Sequence, residues 1–239
     1  MNTLTKIIVT SLVALLLMSC NFNFGVKGNG NVVETEREIS QDFNAINISA
    51  GLQLTLTQGN RVSLVVEADE NLQDIIKTEV KDNVLKIYTT DNIASSVAKN
   101  IFLTAKYINA LKTSSGSETV GTNLITTDSL LIDSSSGSEV TLEVKTNMLE
   151  CETSSGSSIR VSGSSNTLLL DASSGSAINA INLTTKTARV EGSSGSDIDL
   201  TVTDQLTASA SSGSAIVYYG NPKNINTNDS SSGSVRAKN

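Results

Sequence analysis

The tetrapeptide Ser-Ser-Gly-Ser occurs seven times in this chain of 239 residues, with its glycine at Gly116, Gly137, Gly156, Gly175, Gly195, Gly213 and Gly233. Successive glycines stand 21, 19, 19, 20, 18 and 20 residues apart. A period in this range marks a solenoid, in which every repeat is one rung that buries its apolar side against its neighbours. A chain built this way needs no globular core.

Aligning the repeats on their glycines gives columns of alternating character. Seven residues before the glycine, the five middle repeats carry Leu130, Leu149, Leu168, Ala188 and Leu206; five before it they carry Ile132, Cys151, Leu170, Val190 and Ala208. Three after it stand Val140, Ile159, Ile178, Ile198 and Ile216, and five after it Leu142, Val161, Ala180, Leu200 and Tyr218. All four offsets are odd, so strands entering and leaving the glycine put their apolar residues on one side. That side is the core. In the seventh repeat the same columns read Asn226, Asn228, Arg236 and Lys238, which predicts a polar cap.

A rung of this length holds about three short strands and three turns, with rungs stacked about 4.8 Å apart through parallel hydrogen bonds. Leucine-rich repeats need a Leu/Asn consensus that this sequence lacks, and hexapeptide helices keep multiples of six. The expectation is an all-β, right-handed parallel β-helix with rungs of 18–21 residues. Glycine suits a left-handed corner, and small serines let seven corners stack. A nucleophilic serine needs a base beside it, and the chain has no histidine, so these serines read as structural.

The N-terminus carries different information. Lys6 precedes an apolar run from Ile7 to Met18, shorter than the roughly 20 residues of a spanning helix and suited to the centre of a secretory signal. The run ends in Leu17-Met18-Ser19-Cys20, which resembles the bacterial lipobox and assigns Cys20 as the lipid attachment site. Residues 1–19 are then a lipoprotein signal, and the Asn- and Gly-rich residues 20–40 a flexible tether, whose acidic end at Glu34–Glu38 either continues it or forms a first edge. Residues 41–239 form the β-helix: 41–110 as irregular N-terminal rungs, 111–239 as serine-cornered rungs with a C-terminal cap. Asn71 to Val80 suits a helical turn or a strand.

The stretches Gly28–Asn31 (GNGN), Phe43–Gly59 (FNAINISAGLQLTLTQG), Asp69–Ile87 (DENLQDIIKTEVKDNVLKI) and Leu111–Val120 (LKTSSGSETV) are similar to the bacterial head GIN domain family of putative auto-transporter adhesins. The resemblance covers about Phe43 to Tyr219. It implies an exported, lipid-anchored right-handed β-helix of Bacteroidetes-like bacteria and brings no catalytic residues with it.

Four residues before the glycine, opposite the core, stand Lys112, Asp133, Glu152, Asp171, Glu191, Ser209 and Asp229. Asp133, Glu152, Asp171 and Glu191 thus form an outward carboxylate column, a possible ligand or cation surface. Neighbours about 4.8 Å apart in water repel by only about 0.9 kcal/mol, which the fold can bear unaided. The column lacks the Gly-rich turn of calcium-binding β-rolls, so no metal or other cofactor is assigned. A net charge of -7 without a basic cluster gives no footprint for nucleic acid. The function expected is a non-enzymatic adhesin or binding scaffold of the cell envelope, lipid-anchored at the outer membrane on its surface or periplasmic face, whose partners are the membrane and a glycan or protein surface. The alternatives are a polysaccharide lyase or hydrolase, which needs only a carboxylate pair, and a structural envelope component.

Overall fold

Each serine corner is a tight turn with left-handed backbone at both central positions. In the computed structural model, which describes residues 25–238, the second serine of the first six turns has φ of 51–55° and the glycine 68–78°. This is the sign pattern of a type I′ turn, closed in the first by the Ser117 N–H donating to the Ser114 carbonyl at 3.2 Å. An added Cβ on Gly116, Gly137, Gly156, Gly175, Gly195 or Gly213 meets nothing within 4 Å, so backbone conformation alone calls for glycine there. The turns stack directly. Each glycine N–H, from Gly116 to Gly213, donates to a serine carbonyl of the next turn at 3.0–3.2 Å.

The serine at the fourth position of each turn points inward. Ser138, Ser157, Ser176, Ser196 and Ser214 are buried, and each hydroxyl donates to a backbone carbonyl of the preceding rung, at 2.6–3.0 Å. Each also accepts the N–H of the first serine in its own turn, at 3.0–3.2 Å. Ser117 is the exception, with a buried hydroxyl that has no partner.

Between turns the rungs are not three short strands. Glu139–Thr153, Ser158–Ala172, Ala177–Gly192 and Asp197–Ala210 are continuous strands of 14–16 residues, each bent rather than broken where it passes from one face to the next. Their parallel register is unbroken from Glu139↔Ser158 to Thr153↔Ala172. The unequal glycine spacing is absorbed at the bend, through register shifts between Arg160 and Gly163, between Ala180 and Thr184, and between Thr185 and Thr187. Gly163 sits at this bend with φ of 104°, where any Cβ would fall 2.1 Å from the Val144 carbonyl oxygen.

All four apolar columns of the middle repeats are buried except Tyr218, which packs half-buried against the core. The chain is an all-β solenoid of about seven turns. Cys151 lies in this core as a free thiol.

The N-terminal half stacks out of sequence order. Ala45–Ile48 pairs in parallel with Val84–Thr89 on one side and Ala110–Thr113 on the other. Gln53–Gln58 likewise lies between Lys99–Ala105 and Glu118–Gly121. The chain therefore lays down an inner rung, passes beneath it to lay down the outermost, and crosses back. Its first corner, Ser49 to Leu52, already has left-handed Ala50 and Gly51 at φ of 67° and 70°. Antiparallel strands close this end: Ile76–Lys81 on Val84–Thr89, Ser63–Asp69 on Lys99–Ala105, and Val32–Glu36 on Ser63–Asp69. Asn71–Val80 provides both expected elements, a helical turn over Glu70–Leu72 and the strand Ile76–Lys81.

Two expectations are corrected here. From Gly25 onward the segment read as a tether is part of the fold: Val26–Lys27 pairs with Ile93–Ser95, and Val32–Glu36 is the antiparallel edge, the second of the two readings given for Glu34–Glu38. The seventh repeat is one residue out of the assumed register. Leu206 pairs with Ile225, Ala208 with Thr227, Ile216 with Val235 and Tyr218 with Ala237, so the terminal columns are not Asn226, Asn228, Arg236 and Lys238. Three consecutive serines precede Gly233, and Ser230 to Gly233 fill the four turn positions, with Ser232 at φ of 64° where the other turns have glycine.

Candidate binding surface

Strand register brings the predicted carboxylates together. Asp133 pairs with Glu152, Glu152 with Asp171, and Asp171 with Glu191, giving four acids on adjacent strands of one outward face. Below them the column continues through Lys112, and above them through Ser209 to Asn228. Asp229, predicted for this column, pairs instead with Ala210, because of the terminal register slip.

The column is neutralised at its ends and not in its middle. Lys112 Nζ lies 2.6 Å from Asp133, and Arg189 donates twice to Glu191 Oε1, at 2.6 and 3.1 Å. Glu152 and Asp171 have no cationic partner among the described residues. Partial burial, then the charges of Glu150, Asp133 and Asp171, push the Glu152 carboxyl up, with Lys112 opposing. Burial and Glu191 raise Asp171 in the same direction. A shallow cleft of about 180 Å³ opens here, between Glu150, Glu152, Leu169, Asp171, Arg189 and Glu191.

Glu150 and Arg189 were not singled out from sequence. Both lie two residues before a column member on the same strand, so the period of two that identified the column also places them beside it. Lys112 was seen in the column, but its pairing with Asp133 depends on side-chain reach across rungs. No set of three or more carboxylate, thiol or imidazole groups is gathered to hold a metal ion among the described residues. Cys20 lies outside the described residues.

A second polar constellation ties down the start of the fold. Asp69 is buried and accepts N–H groups from Gly30 at 2.6 Å, Val97 at 2.8 Å and Ala98 at 3.2 Å. Burial alone would raise its carboxyl, but these donors together outweigh it and hold the group below the usual aspartate range. Gly28 packs so close to this carboxylate that a Cβ would meet it at 2.4 Å. Asn71 and Glu70 add bonds to Asn29 and Asn31 at 2.8 and 3.0 Å. The GNGN stretch is thus a structural clasp.

Residues 42–222 match the family model described as putative auto-transporter adhesin, head GIN domain. Several solved structures share the fold. One is a putative adhesin from Bacteroides fragilis, 18% identical, with a TM-score of 0.84 over 89% of this chain and 100% of that one. Another is a putative lipid binding protein from Parabacteroides distasonis, 22% identical, TM-score 0.75, covering 90% and 99% of the two chains. A third is a putative adhesin from Parabacteroides merdae, 20% identical, TM-score 0.74, with the same coverage. No curated protein matches the chain.

Proposed function

From the premise that this chain belongs to the head GIN family of putative auto-transporter adhesins, we propose that it is a non-enzymatic adhesive scaffold of the cell envelope, anchored through lipid on Cys20. The adhesive flank is the carboxylate column, and its ligand is a cationic or hydroxyl-rich polymer bound at several rungs together. The observation that carries this reading is the in-register acid ladder whose two ends are ion-paired while Glu152 and Asp171 stay unneutralised. A repeating surface lets weak contacts add through effective concentration. The cleft of about 180 Å³ is smaller than the roughly 300 Å³ at which enclosed ligand pockets begin, which favours a surface contact over a catalytic pocket. The apolar run before Cys20 supports the anchor.

Binding of the full-length protein to polylysine and to a glycan array tests the ladder. Glu152→Gln with Asp171→Asn should weaken binding more than Asp133→Asn with Glu191→Gln, because the outer pair is already occupied by Lys112 and Arg189. Equal losses, or binding that survives all four changes, would overturn the ladder. Cleavage of a bound glycan that disappears with Glu152→Gln would establish the polysaccharide enzyme instead. For the anchor, Cys20→Ala should release the protein from membranes; a variant still membrane-bound with unchanged mass would refute lipidation.

A further inference from the structure

At the closed end of the solenoid, a hollow of about 540 Å³ lies among residues 39–44, Val62, Asn83, Lys106 and Tyr107. Its size is within the range of small-ligand sites. Buried Phe43 lies among its lining residues, and Tyr107 lines it with 59% of its surface exposed, in a chain with only four tyrosines, four phenylalanines and no tryptophan. Val62, also exposed, extends the apolar side. Ile39 adds to the apolar side half-buried, and the hydrogen-bonding lining includes Asp42, Asn44, Asn83 and Lys106, all exposed.

The hollow is pre-assembled. The Asn44 N–H donates to the Asn83 carbonyl at 3.1 Å, and the Asn109 N–H to the Asn44 carbonyl at 2.8 Å, so the segments around these three residues are bonded in sequence. Asn83 is held at φ of 62° within the Asp82–Asn83 turn. Preorganised side chains lose less entropy when a ligand orders them. Lys106 Nζ stands 4.9 Å from the Tyr107 ring centroid, attracted to its negative face. Its flexible stem lets the ammonium move to the rim when another group takes that face.

We propose that this hollow is a saccharide subsite that takes one hydroxylated sugar ring, stacked on Tyr107. A pyranose presents C–H groups on its face and hydroxyls around its edge. The face suits the negative π surface of an aromatic ring. The edge suits Asn44 and Asn83, whose amides both donate and accept, with Asp42 accepting and Lys106 donating. An apolar ligand would leave these four groups desolvated and unpaired, and an aliphatic side chain would make little use of them.

Saturation-transfer NMR on the full-length protein with methyl glucoside, methyl galactoside and galacturonate tests this subsite. Transfer should reach the ring C–H protons of at least one sugar, and in the unmodified protein the Tyr107 ring resonances should shift while those of Tyr218 and Tyr219 do not. Tyr107→Ala should weaken binding by at least about tenfold and Tyr107→Phe by no more than about twofold. Lys106→Met separates the ligands: loss confined to galacturonate identifies the ammonium as the carboxylate partner, and loss of every sugar makes it a hydroxyl donor. The subsite and the ladder fail separately, since removing all four column carboxylates should leave this binding unchanged. No transfer to any of the three sugars would overturn the proposal, as would unchanged binding in Tyr107→Ala or sugar-induced shifts confined to other tyrosines.

Discussion

The serine at the fourth position of each turn shows how a single hydroxyl can bind two rungs together, and one rung supplies its own control. Ser157 Oγ donates to the Ser134 carbonyl and accepts the Ser154 N–H inside the stack, whereas Ser117 Oγ is buried with no partner. Ser157→Ala should cost about 0.5–1.5 kcal/mol, the usual net worth of a buried hydrogen bond, because the Ser154 N–H and the Ser134 carbonyl stay bonded to each other at 3.1 Å. Ser117→Ala should be neutral or stabilising, and equal losses in urea melts of the two variants would contradict this account. The outward acids obey a different rule. Asp171 has its carboxyl raised in the folded state, so the native protein holds a proton more tightly than the unfolded chain. Stability from such a group is fully present below the unfolded aspartate pKa and is lost as pH rises through the folded value. Asp171→Asn should therefore stabilise slightly at neutral pH, by less than about 1 kcal/mol because the group is largely exposed, and the gain should vanish in acid. By contrast Ile178→Asp places an unpaired carboxylate in the core and should cost several kcal/mol at neutral pH.

At the scale of elements, the clasp on Asp69 joins three segments: the GNGN stretch through Gly30, the loop before Lys99–Ala105 through Val97 and Ala98, and the strand Ser63–Asp69 that carries the carboxylate. Because its carboxyl is depressed on folding, the stability it contributes is present above the unfolded aspartate pKa and is lost as pH falls through the folded one. Asp69→Asn should speed hydrogen exchange at Gly30, Val97 and Ala98 while leaving the serine-cornered rungs protected. Exchange that rises uniformly along the chain, or not at all, would show that these elements are not held by that carboxylate. This clasp was hard to read in the sequence. Asn and Gly in this stretch suggest a loop by composition, and the partners that make residues 25–36 part of the fold, Asp69 and Asn71 beside GNGN and the strands Ile93–Ser95 and Ser63–Asp69, are all distant in sequence. The serine rungs were legible for the opposite reason, since a positive φ, a small side chain and a period of two are local demands that repeat on the same residues. The last rung misled because Ser230-Ser231-Ser232-Gly233-Ser234 offers two alignments of one motif, and strand pairing chose the one that sets Ile225 beside Leu206 and Val235 beside Ile216.

For the whole molecule, the two halves obey different assembly rules, and this could not be read from local pattern. Whether Ala45–Gln58 lies at the end of the stack or inside it depends on which strands pair across tens of residues, and the alternation of Leu52, Leu54 and Leu56 is the same either way. The carboxylate column was legible because it lies wholly in the sequential half, where one rung follows another and register is inherited from the turn. A solenoid of that kind is stabilised by each rung and its nearest neighbours, so a complete rung should be removable. Deleting residues 158–176 joins Ser157 to Ala177 and leaves an intact serine turn before the new junction. It removes 19 residues, the same offset that relates Glu139 to Ser158 and Ser158 to Ala177 in the ladder. The shortened chain should keep its β-sheet circular dichroism and unfold cooperatively at lower stability. Deleting residues 159–176, one fewer, shifts the strand leaving the junction by one position and turns Ile178 and Ala180 toward solvent until the next bend, so that chain should be markedly less stable than the 19-residue deletion. The intact-rung deletion also removes Asp171 and sets Glu152 directly against Glu191, whose charge Arg189 already meets. Polymer binding should then fall while sugar binding at Tyr107 persists. An unfolded product from the 19-residue deletion would refute inherited register, and a folded product with undiminished polymer binding would remove the acid ladder from the adhesive surface.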